Sequence, residues 1–146
     1  MHAPLDRAAI AARIPHQGSM CLLDTVTHWT EQHIHCTSTT HRDPNNPLRA
    51  EGRLGIACGI EYAAQAMAVH GVLLTTGPQP KRGYLVSVRS VTLATDRLDT
   101  VADALEIEAE RLSGDSTTVL YQFHVRSADR LLLSGRAAVV LDSEKL

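Results

Sequence analysis

Residues 56–75 form the longest apolar stretch of the chain, and their richness in Ala, Leu and Met predicts a helix rather than a strand. A helix that is apolar nearly all round has to be buried inside its domain. Gly77-Pro78-Gln79-Pro80 predicts its stop, because proline cannot continue a helix and glycine suits its end. The same stretch, taken over 54–77, is the one place that approaches a membrane span. Glu61, Gln65 and His70 interrupt it, and polar groups are costly in hydrocarbon, so no membrane role is expected.

What surrounds this helix reads as strand. Residues 21–29 and 33–39 are β-branched and apolar, parted by polar Thr30, Glu31 and Gln32, which predicts two adjoining strands. Asp43-Pro44-Asn45-Asn46-Pro47 is a dense turn signal. Beyond Gly83, four strands are predicted over 83–94, 102–112, 117–127 and 131–141, joined by turns as a meander. Leu105, Ile107 and Ala109 alternate with Glu106, Glu108 and Glu110, giving one inward apolar face and one wet acidic face. At the start, 5–14 reads as a short amphipathic helix ended by Pro15. With one long helix available to cover the apolar face of about six strands, an α+β plan follows in which the sheet curls around the helix. At 146 residues the chain is expected to be a single domain, 1–146.

Composition narrows the partners. The formal charge is −2 with dispersed Lys and Arg, and there are only one Trp, three Tyr and one Phe. Neither a positive field for nucleic acid nor a platform for stacked bases is expected. Cys21, Cys36 and Cys58 are three in number and widely spaced, which predicts reduced thiols and a cytoplasmic protein. Charged Asp6, Arg7 and Arg13 break any signal-peptide pattern in 1–13. No nucleotide or phosphate fingerprint and no Gly-x-Ser-x-Gly elbow is present.

Glu61 is the most informative polar residue, lying in the first turns of the apolar helix. The macrodipole stabilises an acid there, and a carboxyl desolvated in a cleft can also hold or donate a proton near neutrality. Gln65 falls four residues on, on the same face, able to bond a ligand or a loop. Backbone amides near Gly59 and Ile60, at the helix start, can hold a developing oxyanion. His16 follows Pro15, either as a cap on the first helix or as a proton-transfer group. His33 and His35 share one side of a strand with His41 close by, but no carboxylate or cysteine completes a ligand spacing, and no metal is expected.

Ile14-Pro15-His16-Gln17, followed by Met20 and Leu22-Leu23-Asp24, resembles the opening of the 3-hydroxyacyl-[acyl-carrier-protein] dehydratases. Gly59-Ile60-Glu61-Tyr62-Ala63-Ala64-Gln65-Ala66 resembles that family's central-helix signature, in which Glu and Gln stand four apart before Ala. With the element order, the resemblance covers nearly the whole chain and is closest to the dehydratase-like branch associated with aryl polyene and related polyketide or fatty acid gene clusters. It implies the hot-dog fold, with a dimer whose sheets join edge to edge and an acyl tunnel at the subunit interface. It further implies acyl-carrier protein or acyl-CoA as the thioester donor and no cofactor.

One departure matters. The family carries a His-Phe-Pro-Gly segment with the catalytic histidine where this chain has Asn45-Asn46-Pro47-Leu48-Arg49. The resemblance then leaves His16 as the expected base beside Glu61, His41 as the alternative, or loss of the reaction. Three functions follow: dehydration of 3-hydroxyacyl thioesters to trans-2-enoyl thioesters, thioester hydrolysis on the same scaffold, or a non-catalytic partner subunit that completes an active dehydratase.

Overall fold

The computed structural model describes residues 4–74, 82–115 and 117–142. The order is α1 (Arg7–Ala11), β1 (Thr25–Trp29), β2 (His33–Ser38), α2 (Gly59–Leu74), β3 (Arg82–Leu93), β4 (Leu105–Gly114), β5 (Thr118–Ser127) and β6 (Arg130–Asp142). This is the expected plan, an α+β hot-dog fold in which one antiparallel sheet of six strands holds one long helix. The predicted stop at 77–80 lies outside the described residues.

Strand order is β1-β2-β4-β5-β6-β3. The expected meander therefore holds for β4, β5 and β6 but not for β3, which pairs with β6 at the far edge. Hydrophobic alternation says which face of a strand is inward and nothing about its neighbour. In the β5–β6 hairpin, Ala128 and Asp129 both take positive φ, 49° and 66°, as a two-residue primed turn demands. β3 carries register shifts at Leu85/Ser87 and Arg89/Thr92, with Ser90 at φ 56°.

Two expected elements are shorter than anticipated. α1 is capped by Asp6, whose carboxylate accepts the Ala9 amide at 2.9 Å, and ends at Ala11. Gln17 Nε2 closes that end by donating to the carbonyls of Ala11 and Ile14 at 2.7 and 3.1 Å. β1 starts at Thr25 rather than at Cys21: the Cys21 amide donates to the Gly18 carbonyl and the Leu22 amide to the Gln65 side chain, and backbone bonding to β2 begins at Asp24, whose amide donates to the Thr37 carbonyl at 2.9 Å. The Arg7 guanidinium holds Asp24 and the Cys21 carbonyl, and Asp24 in turn accepts the Thr39 amide at 2.8 Å.

Tyr62, Ala66, Met67 and Val69 of α2 share one core with Ile34, Leu105, Ile107, Phe123, Val125 and Leu133 from the sheet. Gly59 lets the helix start approach β6, since a Cβ there would lie 2.2 Å from Leu133 Cδ2. Ahead of it, Asp99 fixes the approach by accepting the Leu54 amide at 3.0 Å while gripping Arg97. Arg97 holds the Asp99 carboxyl well below the ordinary carboxylate range. Ile56–Leu74 is long and apolar enough to cross a membrane, yet 50% of its apolar window is buried within the domain.

Candidate active site

α2 is not covered all round. Glu61, Ala64, Ala68 and Val72, spaced three or four apart, form a stripe that the sheet leaves open. A cavity of about 300 Å³ lies along this stripe, bounded by Met67, by Leu85 of β3 and Val139 of β6, and by residues 13–16 of the segment after α1. Its volume is at the lower end for small-molecule sites, which run from roughly 300 to 1,000 Å³. The wall is apolar along Ala64, Ala68, Val72, Leu85 and Val139, and Arg13, His16 and Glu61 supply the groups that can carry charge.

His16 and Glu61, far apart in sequence, thus border one cavity. His16 is half-buried, and its Nδ1 is shut off from water without a hydrogen-bond partner. The helix-cap role is taken by Gln17, which leaves the imidazole free of that duty. Glu61 differs from expectation: its side chain is exposed, not desolvated.

The other expected site residues are placed differently. Gln65 is 2% exposed and spends both ends of its amide on the backbone, with Oε1 accepting the Leu22 amide at 2.8 Å and Nε2 donating to the Met20 carbonyl at 2.7 Å. It does not line the cavity. Gly59 is buried and its amide donates to carbonyls of the preceding turn, at Ile56 and Ala57, so it is not free for an oxyanion. Ile60 packs against the core. Local helical spacing could place Gln65 beside Glu61 but could not show that a loop 45 residues earlier would occupy it.

None of the remaining candidate histidines joins Glu61. His41 is fully buried and its Nε2 donates to the Val101 carbonyl at 3.0 Å; burial foremost pulls its pKa below the ordinary value. Asn46, in the segment that departs from the family pattern, is also spent on structure. Its Nδ2 donates to Tyr62 Oη and the Thr40 carbonyl at 3.0 and 2.9 Å.

His33 and His35 lie on the outer face of the sheet. His33 pairs with Glu108 and His35 with Glu106, each at 3.1 Å, while His124 approaches Glu108 from the other side at 3.5 Å. The face expected to be simply wet is therefore an imidazole–carboxylate ladder. Burial works against the charged Glu108 carboxyl, but the His33 bond and neighbouring imidazoles outweigh it and hold its pKa below the usual value. Among the described residues no group of three or more His, Cys, Asp or Glu could hold a metal ion. Cys21, Cys36 and Cys58 are free, and burial pushes the Cys36 thiol up to about 12.

Comparison with known proteins agrees with this architecture. A chain of the dehydratase heterocomplex ApeI:P from Xenorhabdus doucetiae superposes with a TM-score of 0.78 at 24% identity, over 92% of this chain and 91% of that one. A mutant thioesterase from Pseudomonas aeruginosa superposes with a TM-score of 0.68 at 11% identity, covering 94% of each chain. A hypothetical thioesterase from Streptococcus pneumoniae, solved with coenzyme A, gives 0.60 at 15% identity over 83% of this chain and 87% of that one. No curated protein matches the sequence. Residues 8–145 match the ApeP-like family, described as ApeP dehydratase, and the chain belongs to that family.

Proposed function

We propose that the protein dehydrates 3-hydroxyacyl chains carried on acyl-carrier protein to trans-2-enoyl thioesters, with His16 and Glu61 as the reacting pair. The observation that carries this reading is the shared cavity: an imidazole and a carboxyl line the same apolar groove. Eliminating water needs a base for the C2 proton and an acid for the departing C3 hydroxyl, and it needs no redox partner. His16 takes the C2 proton; Glu61, in its protonated form, gives one to the hydroxyl, and water leaves. The apolar wall along Ala64, Ala68 and Val72 receives the acyl chain.

Glu61 is exposed in the single chain, and this supports a site completed by a second subunit. A protein surface closing over the groove takes the carboxyl out of water, where the neutral, proton-donating form is favoured. The similar chain from the ApeI:P heterocomplex makes a second, different dehydratase chain a natural candidate for that subunit, alongside a second copy. The exposed carboxylate also suits activation of water, so thioester hydrolysis is the competing chemistry.

The test is incubation with 3-hydroxyacyl-acyl-carrier protein, alone and with a candidate partner subunit, followed by mass spectrometry of the acyl group. Loss of water supports dehydration. Release of free acid establishes hydrolysis instead. Activity that appears only with the partner and survives loss of both His16 and Glu61 makes this chain the non-catalytic subunit.

A further inference from the structure

We infer that Gln65 is a positioning residue that sets His16 against Glu61 by gripping the His16 loop from the helix that carries the acid. This rests on the proposed roles of His16 and Glu61. α2 presents Glu61 and, one turn later, Gln65, so the two side chains share a rigid support. The segment carrying His16, between α1 and β1, meets the sheet at its end, where the Asp24 amide donates to the Thr37 carbonyl at 2.9 Å. Side chains hold the rest: Arg7 on the Gly18 and Cys21 carbonyls, Gln17 on the end of α1, the Ser38 and Thr40 hydroxyls on the Leu22 carbonyl, and Gln65 on Met20 and Leu22. The first two tie the segment to itself and to α1, and the hydroxyls tie Leu22 to the end of β2 and the turn after it. Gln65 ties it to α2.

The grip takes a side chain that donates at one atom and accepts at the other, as a carboxamide does. Met20 offers a carbonyl oxygen at 2.7 Å and Leu22 an N–H at 2.8 Å, so the side chain has to donate at one atom and accept at the other. Ionised glutamate, nearly the same shape, keeps the bond to the Leu22 amide and sets a carboxylate oxygen against the Met20 carbonyl, so the comparison is made above the pH at which that carboxyl gives up its proton. Gln65→Glu therefore pushes the loop away at one point while filling the same space. Gln65→Asn retains both functions on a stem one methylene shorter.

Two readouts test this in the intact protein. In the first, imidazole NMR signals of His16 are followed across pH in the parent and in Gln65→Glu, with core His70 and outer-face His124 as internal controls. His16 signals should shift or split while the controls hold. In the second, kcat and KM for dehydration are compared, with the partner subunit present if activity requires it. kcat should fall on the order of 10²-fold, the loss a 1 Å misplacement brings, with KM little changed.

Unchanged His16 signals in a folded variant overturn the inference, as does a KM-only effect. Shifted His16 signals in a protein that shows no dehydration at all uphold the positioning role and refute the proposed reaction. Should Gln65→Glu not fold, the same two measurements are made on Gln65→Asn, where a shifted His16 with lowered kcat upholds the inference and an unmoved His16 overturns it.

Discussion

Acidification from about pH 7.5 to about pH 5.5 should destabilise the protein through histidines that the fold keeps neutral, and His70 allows the effect to be isolated. His70 is fully buried in α2, with Nδ1 accepting from the Tyr121 hydroxyl at 2.6 Å and Nε2 donating to the Thr30 carbonyl at 2.7 Å. Both ring nitrogens are used by the neutral form. Burial lowers its pKa, the Thr30 carbonyl opposes that shift, and the charges of Arg111 and His33 add to the lowering. Folded pKa thus lies below the unfolded value of about 6.5, so as pH falls through that value the unfolded chain takes up a proton that the native state refuses. Stability is complete above that pH and declines beneath it, until the folded pKa is reached.

Each such proton is worth up to about 1.4 kcal/mol per pH unit. His41, equally buried and shifted in the same direction, raises the share of this buried pair to at most about 2.7 kcal/mol per unit, or roughly 5 to 10 °C in Tm, and His28 and His124, also held below the ordinary value, add to the same slope. Thermal unfolding by circular dichroism at a series of pH values measures the slope. His70→Gln offers an amide N–H towards Thr30 and a carbonyl towards Tyr121 without a titrating proton, and should lower the slope by up to about 1.4 kcal/mol per unit. An unaltered slope in a folded His70→Gln variant, or stability that rises on acidification, refutes the reasoning.

Glu61→Gln and His16→Asn should each lower dehydration by on the order of 10² to 10⁴, with the double variant little worse than either, measured as loss of water from the acyl thioester. Because Glu61 is exposed, its replacement should move stability of the single chain by no more than about 0.5 kcal/mol. Gly59→Ala sets a Cβ 2.2 Å from Leu133 Cδ2, the movable end of that side chain, so overpacking of about 1 to 3 kcal/mol is set against the roughly 1 kcal/mol that alanine adds to a helix, and the net loss should be no more than about 2 kcal/mol. Denaturant titration checks this, and Leu133→Val in the same chain should recover part of the loss. Cys58→Ala should leave turnover essentially intact, because burial foremost, then Glu61, raises the thiol's pKa and keeps it protonated; loss of the chemical step in a folded variant overturns that assignment.

Local pattern carried much of this protein. The apolar length of 56–75 demanded a buried helix, period-two alternation marked β4, and the turn at Ala128-Asp129 separated β5 from β6, because each signal depends on residues a few positions apart. Helical spacing put Glu61 and Gln65 on one face for the same reason. What pattern could not reach is pairing over long separations. Only the folded sheet sets β3 beside β6, Glu108 between His33 and His124, and Tyr121 against His70. Only tertiary packing spends Gln65 on the loop at 20–22 and leaves Glu61 in the open. Side chains on one helix face have equal claims on a ligand until a segment from elsewhere in the chain satisfies one of them, and that segment's arrival depends on the whole fold.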